Sequence, residues 1–199
     1  MRERSYQNRI IDISRYVSTE TPVYPGDTAF QKRWLTQDDV YTSEVMFTPH
    51  VGTHIDAPWH FGYGSCGMEN VPLDLFVGPC QVITPLTNHE VLAKEDIDSK
   101  VIMTTRILFA MKYEGQGLSS ELVQWLSELG VRVIGTSSDS IDAISNSNYP
   151  AHHTALNLGM FLIENLDLNQ VTDGQYELHA VPLKWVGVEA SPVRAYLIR

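Results

Sequence analysis

Four side chains able to hold a metal ion crowd into one short run, His50-Val51-Gly52-Thr53-His54-Ile55-Asp56-Ala57-Pro58-Trp59-His60. A lone histidine usually finds a hydrogen bond and does nothing more. Here His50, His54, Asp56 and His60 stand together beside Gly52 and Pro58, and they form the nitrogen and oxygen donor set of a divalent cation. With no thiolate in the set, zinc and manganese both stay open. A bound divalent ion lowers the pKa of its water to about 7 and polarises a carbonyl, which makes hydrolysis the natural chemistry.

The spacing constrains the backbone. All four positions are even, so a strand would present them on one face. A strand also rises ~3.3 Å per residue, which would leave His50 and His54 about 13 Å apart, too far for their rings to share an ion. Gly52 supplies a bend or the start of a helical turn, and Pro58 disfavours helix through Ala57. The expectation is a strand ending near His50, a bent ligand loop, and His60 placed a little apart.

The elements that must position these residues read as strands more often than helices. Strands are expected at 10–14, 44–48 (running into the histidine segment), 80–83, 106–110, 131–135, 160–163, 176–181 and 193–198. Thr21-Pro22-Val23-Tyr24-Pro25-Gly26-Asp27 is a turn-rich stretch without regular structure. One helix is plain: Ser119 is its N-cap, Glu121 suits its first turn, Leu122, Leu126 and Leu129 form its apolar stripe, and Gly130 stops it. The pattern is that of a mixed α/β domain built on a sheet.

Composition narrows the function classes. The chain has 199 residues, 43% hydrophobic and 19% charged, as expected of one globular domain with a sizeable core. Its net charge is −10 and its 14 Lys and Arg are scattered, which argues against nucleic-acid binding. Residues 1–8 are charged with no apolar segment after them, and no window approaches the roughly 18 apolar residues of a membrane span. Cys66 and Cys80 are the only cysteines, so a reducing cytoplasm is the expected location.

The run from His50 to His60 resembles the cyclase family, which includes bacterial kynurenine formamidases and isatin hydrolases. It matches the pattern His-x-Gly-Thr-His-x-Asp-x-Pro-x-His in full. Val23-Tyr24-Pro25-Gly26-Asp27, Val71-Pro72-Leu73-Asp74, Gly78-Pro79, residues 118–135 and residues 182–195 are also similar to family segments. Two departures stand out. Tyr24 occupies a position where formamidases tend to carry Trp. Thr136-Ser137-Ser138-Asp139-Ser140-Ile141-Asp142 stands where the family commonly reads Ile-Asp-x-Pro-Ser-x-Asp.

The resemblance implies a single-domain α/β cyclase-type fold with a mixed sheet core and few helices, assembled as a homo-oligomer (dimer or tetramer). It implies metal ligation by His50, His54 and Asp56, completed by His152 and Glu164, with zinc ahead of manganese and one or two ions. It makes His60 the acid/base residue, with a ligand role as the alternative, and brings Tyr24 to the substrate. His152 and His153 cannot both face one ion, because neighbours diverge by ~100° on a helix and ~180° on a strand. The family spacing selects His152. Glu164 ends the apolar run Met160-Phe161-Leu162-Ile163, where an unpaired carboxylate would be costly to bury.

The implied activity is hydrolysis of a C–N bond in a small aromatic amide, N-formylkynurenine or a relative, with the ion activating water and His60 passing a proton to the leaving nitrogen. Alternatives are a cyclase or dehydratase, a hydrolase of isatin-type cyclic amides, and a metal-stabilised binding protein without turnover. Phe47, Trp59 and Phe61 read as core. Cys66 reads as a loop thiol, His89 and His179 as ordinary structural or surface histidines, and Gly115-Gln116-Gly117 is too short for a phosphate loop.

Overall fold

A computed structural model describes residues 10–64, 67–97 and 103–199; Cys66 and residues 1–8 lie outside the described residues. In chain order the strands are β1 (Ile10–Asp12), β2 (Gln31–Gln37), β3 (Val40–Met46), β4 (His54–Asp56), β5 (Val77–Ile83), β6 (Val91–Leu92), β7 (Arg106–Phe109), β8 (Gly117–Leu118), β9 (Val133–Thr136), β10 (Phe161–Glu164), β11 (Gly174–His179), β12 (Ala190–Pro192) and β13 (Tyr196–Ile198). Two α-helices occur among the described residues, α1 (Ser120–Glu128) before β9 and α2 (Pro150–Asn157) before β10. None of them is long and apolar enough to cross a membrane.

Nine strands form one mixed sheet in the order β1-β13-β11-β5-β7-β9-β10-β4-β12. The centre, β5-β7-β9-β10, is parallel, and the flanks are antiparallel. Parallel strands are covered on both faces, so they read as continuous apolar runs, as 107–109 and 161–163 do. Alternation sorts their side chains into two cores. Leu108, Val133, Phe161 and Ile163 pack with Ile13, Phe76 and Cys80 on one face. Ile107, Phe109, Ile134 and Leu162 pack on the other against Leu122 and Leu126 of α1 and Ala151 and Ala155 of α2.

Ser119 caps α1 as expected, its side chain accepting from Leu122 N–H at 3.1 Å. The stripe turns through Leu122, Val123 and Leu126, while Leu129 is half exposed just before the Gly130 stop. The strand expected at 193–198 is shorter, Tyr196–Ile198, and a separate strand just before it, Ala190–Pro192, joins the opposite edge of the sheet. The strand expected at 44–48 belongs to a hairpin, β2–β3, which turns through Asp38 and Asp39 with Asp38 at φ 52°. Every residue of that hairpin's strands is exposed, including Trp34, Tyr41 and Val45 on one face.

The pairing of β4 with β10 positions the histidine segment. Its register sets His54 opposite Glu164, Ile55 opposite Ile163 and Asp56 opposite Leu162. Opposed residues in an antiparallel pair share a face. Ile55 and Ile163 both enter the core that holds Ile13 and Phe76. His54, Asp56 and Glu164 must therefore project from the other face, the one covered by α2.

Candidate metal centre

The expected route into the site needs correction at two points. The preceding strand ends at Met46, and His54 and Asp56 lie on a strand, β4, where a bent loop was expected. The bend comes earlier, at Gly52. Val51 N–H donates to Thr48 O at 3.1 Å, and Gly52 then takes the left-handed φ of 65°. A Cβ at Gly52 would come 2.5 Å from Val17 Cγ2, so both the dihedral and the space demand glycine. The turn swings His50 back until its ring centroid is 5.0 Å from that of His54. This resolves the 13 Å difficulty of a straight strand.

His60 is not set apart, which is the second correction. It rides on the 3-10 turn Pro58–Phe61, its ring centroid 4.3 Å from His50 and 6.3 Å from His152. Pro58 starts this turn and Gly62, at φ 77°, closes it.

From the second half, α2 delivers His152 and β10 delivers Glu164. His152 Nε2 lies 3.2 Å from Glu164 Oε1 and 3.9 Å from Asp56 Oδ2, while His54 Nε2 lies 3.6 Å from Glu164 Oε2. His153, one residue on, is exposed and meets the Tyr63 hydroxyl through Nδ1 at 3.0 Å. Among the described residues, three groups of ligand atoms each converge to within 4.8 Å of one another: His50, His54 and Asp56; Asp56, His152 and Glu164; and His50, His60 and Glu189. Asp56 belongs to the first and second of them, and His50 to the first and third.

The centre carries buried polar atoms that the protein itself does not satisfy. His54 Nε2 and both carboxylate oxygens of Asp56 are buried without a hydrogen-bond partner. His50 Nδ1 approaches Asp56 Oδ1 to 2.9 Å, an ionic contact too poorly aligned to count as a hydrogen bond. Leaving such groups unpaired costs on the order of 1–3 kcal/mol each, more when charged. A divalent cation among them would satisfy all three atoms, and the imidazole and carboxylate donors suit one.

The outer nitrogens agree with this arrangement. His54 Nδ1–H donates to Gly52 O at 2.9 Å, which leaves Nε2 with its lone pair toward the site. His152 Nδ1 meets Asp142 Oδ2 at 2.6 Å, and His50 Nε2 meets Glu189 Oε1 at 3.2 Å. Burial opposes charge on His50, yet Asp56 and then Glu189 outweigh it and raise its pKa to about 9. His152 is raised to about 10, burial being overcome by Glu164, Asp142 and Asp56. Burial also disfavours charge on Asp56, but His54 and His50 outweigh it and hold the carboxyl well below the usual range. His60 is shifted down, chiefly by burial.

Aromatic rings form one side of the centre. Phe61, expected in the core, does pack half-buried against it, and it also stacks on His152, with centroids 5.0 Å apart and planes 19° apart, and meets His60 edge-on at 5.0 Å. Phe47 packs half-buried between Phe30 and Trp185, and Trp59 is exposed. Tyr24 is largely exposed and reaches the site indirectly, its hydroxyl bonded to that of Tyr149, whose ring lies 6.1 Å from His152. His89 and His179 pair locally with Asp96 and Glu177. The Gly115-Gln116-Gly117 segment braces the site loop: Leu118 N–H donates to Ile141 O at 2.8 Å, and a Cβ at Gly117 would lie 2.1 Å from Ala143 N.

Sequence reading missed Asp142, Glu189, Tyr149 and the helix α2. Pro150, suited to a first helical position, followed by apolar Ala151, Ala155 and Leu156 and the Gly159 stop, was the available signal for α2. Nothing local marks Glu189, which arrives beside His50 through the pairing of β12 with β4.

A family model described as "Putative cyclase" matches residues 11–143. The kynurenine formamidase of Bordetella petrii is 39% identical over 95% of this chain and 97% of its own length. The chain belongs to the cyclase family. Among solved structures, a "predicted metal-dependent hydrolase" from Bacillus stearothermophilus superposes with TM-score 0.80 at 28% identity, covering 95% of this chain and 97% of the other. Isatin hydrolase A from Labrenzia aggregata superposes at TM-score 0.82 over 96% and 93% of the two chains, and at 23% identity it shows the shared fold alone.

Because His50 and His152 hold protons up to about 9 and about 10, an incoming cation must displace them. Raising the pH removes that competition, so affinity for a divalent ion should rise from neutrality toward about 10. Calorimetric titration in buffers of different ionisation enthalpy should register proton release on uptake. Uptake without proton release, at an affinity independent of pH, would contradict this electrostatic picture.

Proposed function

We propose that this cyclase-family chain is a metal-dependent amidohydrolase of the arylformamidase type, cleaving the C–N bond of a small aromatic amide such as N-formylkynurenine. The observation that carries this reading is the convergence of His54 Nε2 and both Asp56 oxygens, buried and unpartnered, on His152 and Glu164. The likeness to curated kynurenine formamidases supports the choice of substrate class.

In this reading His50, His54, Asp56, His152 and Glu164 hold one or two divalent ions, zinc ahead of manganese. A bound ion would supply Lewis acidity toward the amide carbonyl and a more acidic water. The chain's own groups do the rest. Asp56 and Glu164 bring negative charge that balances the cation. His60 accepts a proton on a ring nitrogen and returns it to the departing amine, a role suited to an imidazole that burial keeps neutral. Phe61 holds the ring of His152 by stacking, and together with Tyr149 and Tyr24 it offers aromatic surface to an aryl substrate.

Purified protein should hydrolyse N-formylkynurenine in a spectrophotometric assay, lose that activity to chelators and recover it with zinc or manganese. Activity indifferent to chelation would sink the metal reading. Turnover of isatin with none of N-formylkynurenine would move the substrate to the cyclic amides. His60→Ala should retain its metal and lose about 10²–10⁴-fold in kcat, the usual worth of a positioned acid/base. If that variant instead loses its metal, His60 is a ligand, as its approach to His50 and Glu189 would allow.

The same reading includes a homo-oligomer, dimer or tetramer. The wholly exposed β2–β3 hairpin supports it, since a two-stranded ribbon with both faces in water is marginal by itself. Sedimentation at micromolar concentration should give a mass above that of one chain, and a monomer there would overturn this part.

A further inference from the structure

Three hydrogen bonds converge on one buried carboxylate behind His152. Asp142 Oδ1 accepts from Ala151 N–H at 2.7 Å, while Oδ2 accepts from His152 N–H at 3.1 Å and from His152 Nδ1–H at 2.6 Å. Asp142 is 3% exposed, so water does not compete for these bonds. Its loop is fixed on three sides. Ile141 N–H donates to Glu164 Oε1 at 2.9 Å, Ile141 O accepts from Leu118 N–H at 2.8 Å, and Gly117 packs against the Asp142–Ala143 peptide with no room for a Cβ.

We propose that Asp142 is a positioning residue for the candidate centre: it pins the proton of His152 to Nδ1 and so turns Nε2, unprotonated in the loaded protein, toward Asp56 and Glu164. The inference rests on the metal reading above. A neutral imidazole has one N–H and one lone pair, and the hydrogen bond made by one nitrogen decides which role the other takes. A carboxylate can only accept, so beside Nδ1 it forces the proton there. Its charge also makes the imidazole a stronger donor to a cation.

The same carboxylate has a second task. Tyr149, the residue at the start of α2, makes no side-chain cap, and Asp142 takes the otherwise unpaired N–H groups of Ala151 and His152 from a distance in sequence. One side chain therefore sets both the helix that carries His152 and the orientation of its ring. The bond to Nδ1 is not needed for capping, and it separates a positioning role from a merely structural one.

The test compares Asp142→Asn with the wild type. Whichever way the new amide turns, its NH2 group opposes an N–H, and the negative charge behind His152 is gone. The zinc Kd, measured by chelator competition, should rise about 10–100-fold, the usual effect of losing an outer partner of a metal-binding histidine. Ser119→Ala, which removes only the cap of α1, should leave the zinc Kd unchanged while lowering the melting temperature. A wild-type zinc Kd in Asp142→Asn, with only its melting temperature reduced, would make Asp142 a cap and overturn the proposal. Should that variant fail to fold, nitrogen NMR of the zinc-loaded wild type decides: a protonated Nδ1 on His152 is expected, and a protonated Nε2 overturns it. A wild type that takes up no zinc sinks the metal reading and this inference together, whereas uptake by the wild type with unchanged uptake by the variant sinks this inference alone.

Discussion

The centre depends on one register, the antiparallel pairing that sets His54 beside Glu164. Side chains alternate along strands, so a slip of one residue would send His54 and Asp56 into the apolar layer and Ile55 out of it. What forbids the slip is the burial of Ile55 and Ile163, both without solvent exposure, in a core that polar groups cannot enter cheaply. The geometry of the polar atoms is thus dictated by apolar ones on the opposite face. β12 pairs with the free side of β4 in turn, which locks the strand and draws Glu189 alongside His50.

Within this frame the electrostatics are tightly paired. His50, His54 and His152 surround Asp56, and each has its outward nitrogen engaged: by Glu189, by the Gly52 carbonyl and by Asp142. Burying these groups without mutual compensation would be strongly unfavourable. What stays unsatisfied within the candidate centre is confined to His54 Nε2 and the two carboxylate oxygens of Asp56.

Much of this was legible in the sequence. The donor types at 50, 54, 56 and 60 announced a centre, and the bend that their spacing demanded was traceable to Gly52. The carboxylate at the end of an apolar run marked Glu164, and the divergence of neighbouring side chains allowed only one of His152 and His153 to face the centre. The mixed sheet followed from many short apolar runs around one clear helix. What stayed hidden depends on tertiary contact. β4 is three residues long, too short for periodicity to declare, and it exists because β10 and β12 flank it. Phe61 reads as core, and it does pack against the core; its second contact, with His152, is invisible because an aromatic ring has the same composition whether it fills space or walls a site. Asp142 and Glu189 owe their places to a loop clamp and to a strand pairing that no local pattern encodes.

The chain distances involved bear on how the protein comes into being. His50 and Glu189 meet across 139 residues of sequence, and Asp12 and Arg194 across 182. Contacts of such range form late, because closing long loops costs entropy before any contact repays it. During synthesis the first histidine motif therefore emerges well before β10 or β12 exists to flank β4. The donor groups of the candidate centre therefore come together only in the finished sheet, when Glu164 and His152 reach His54 and Asp56.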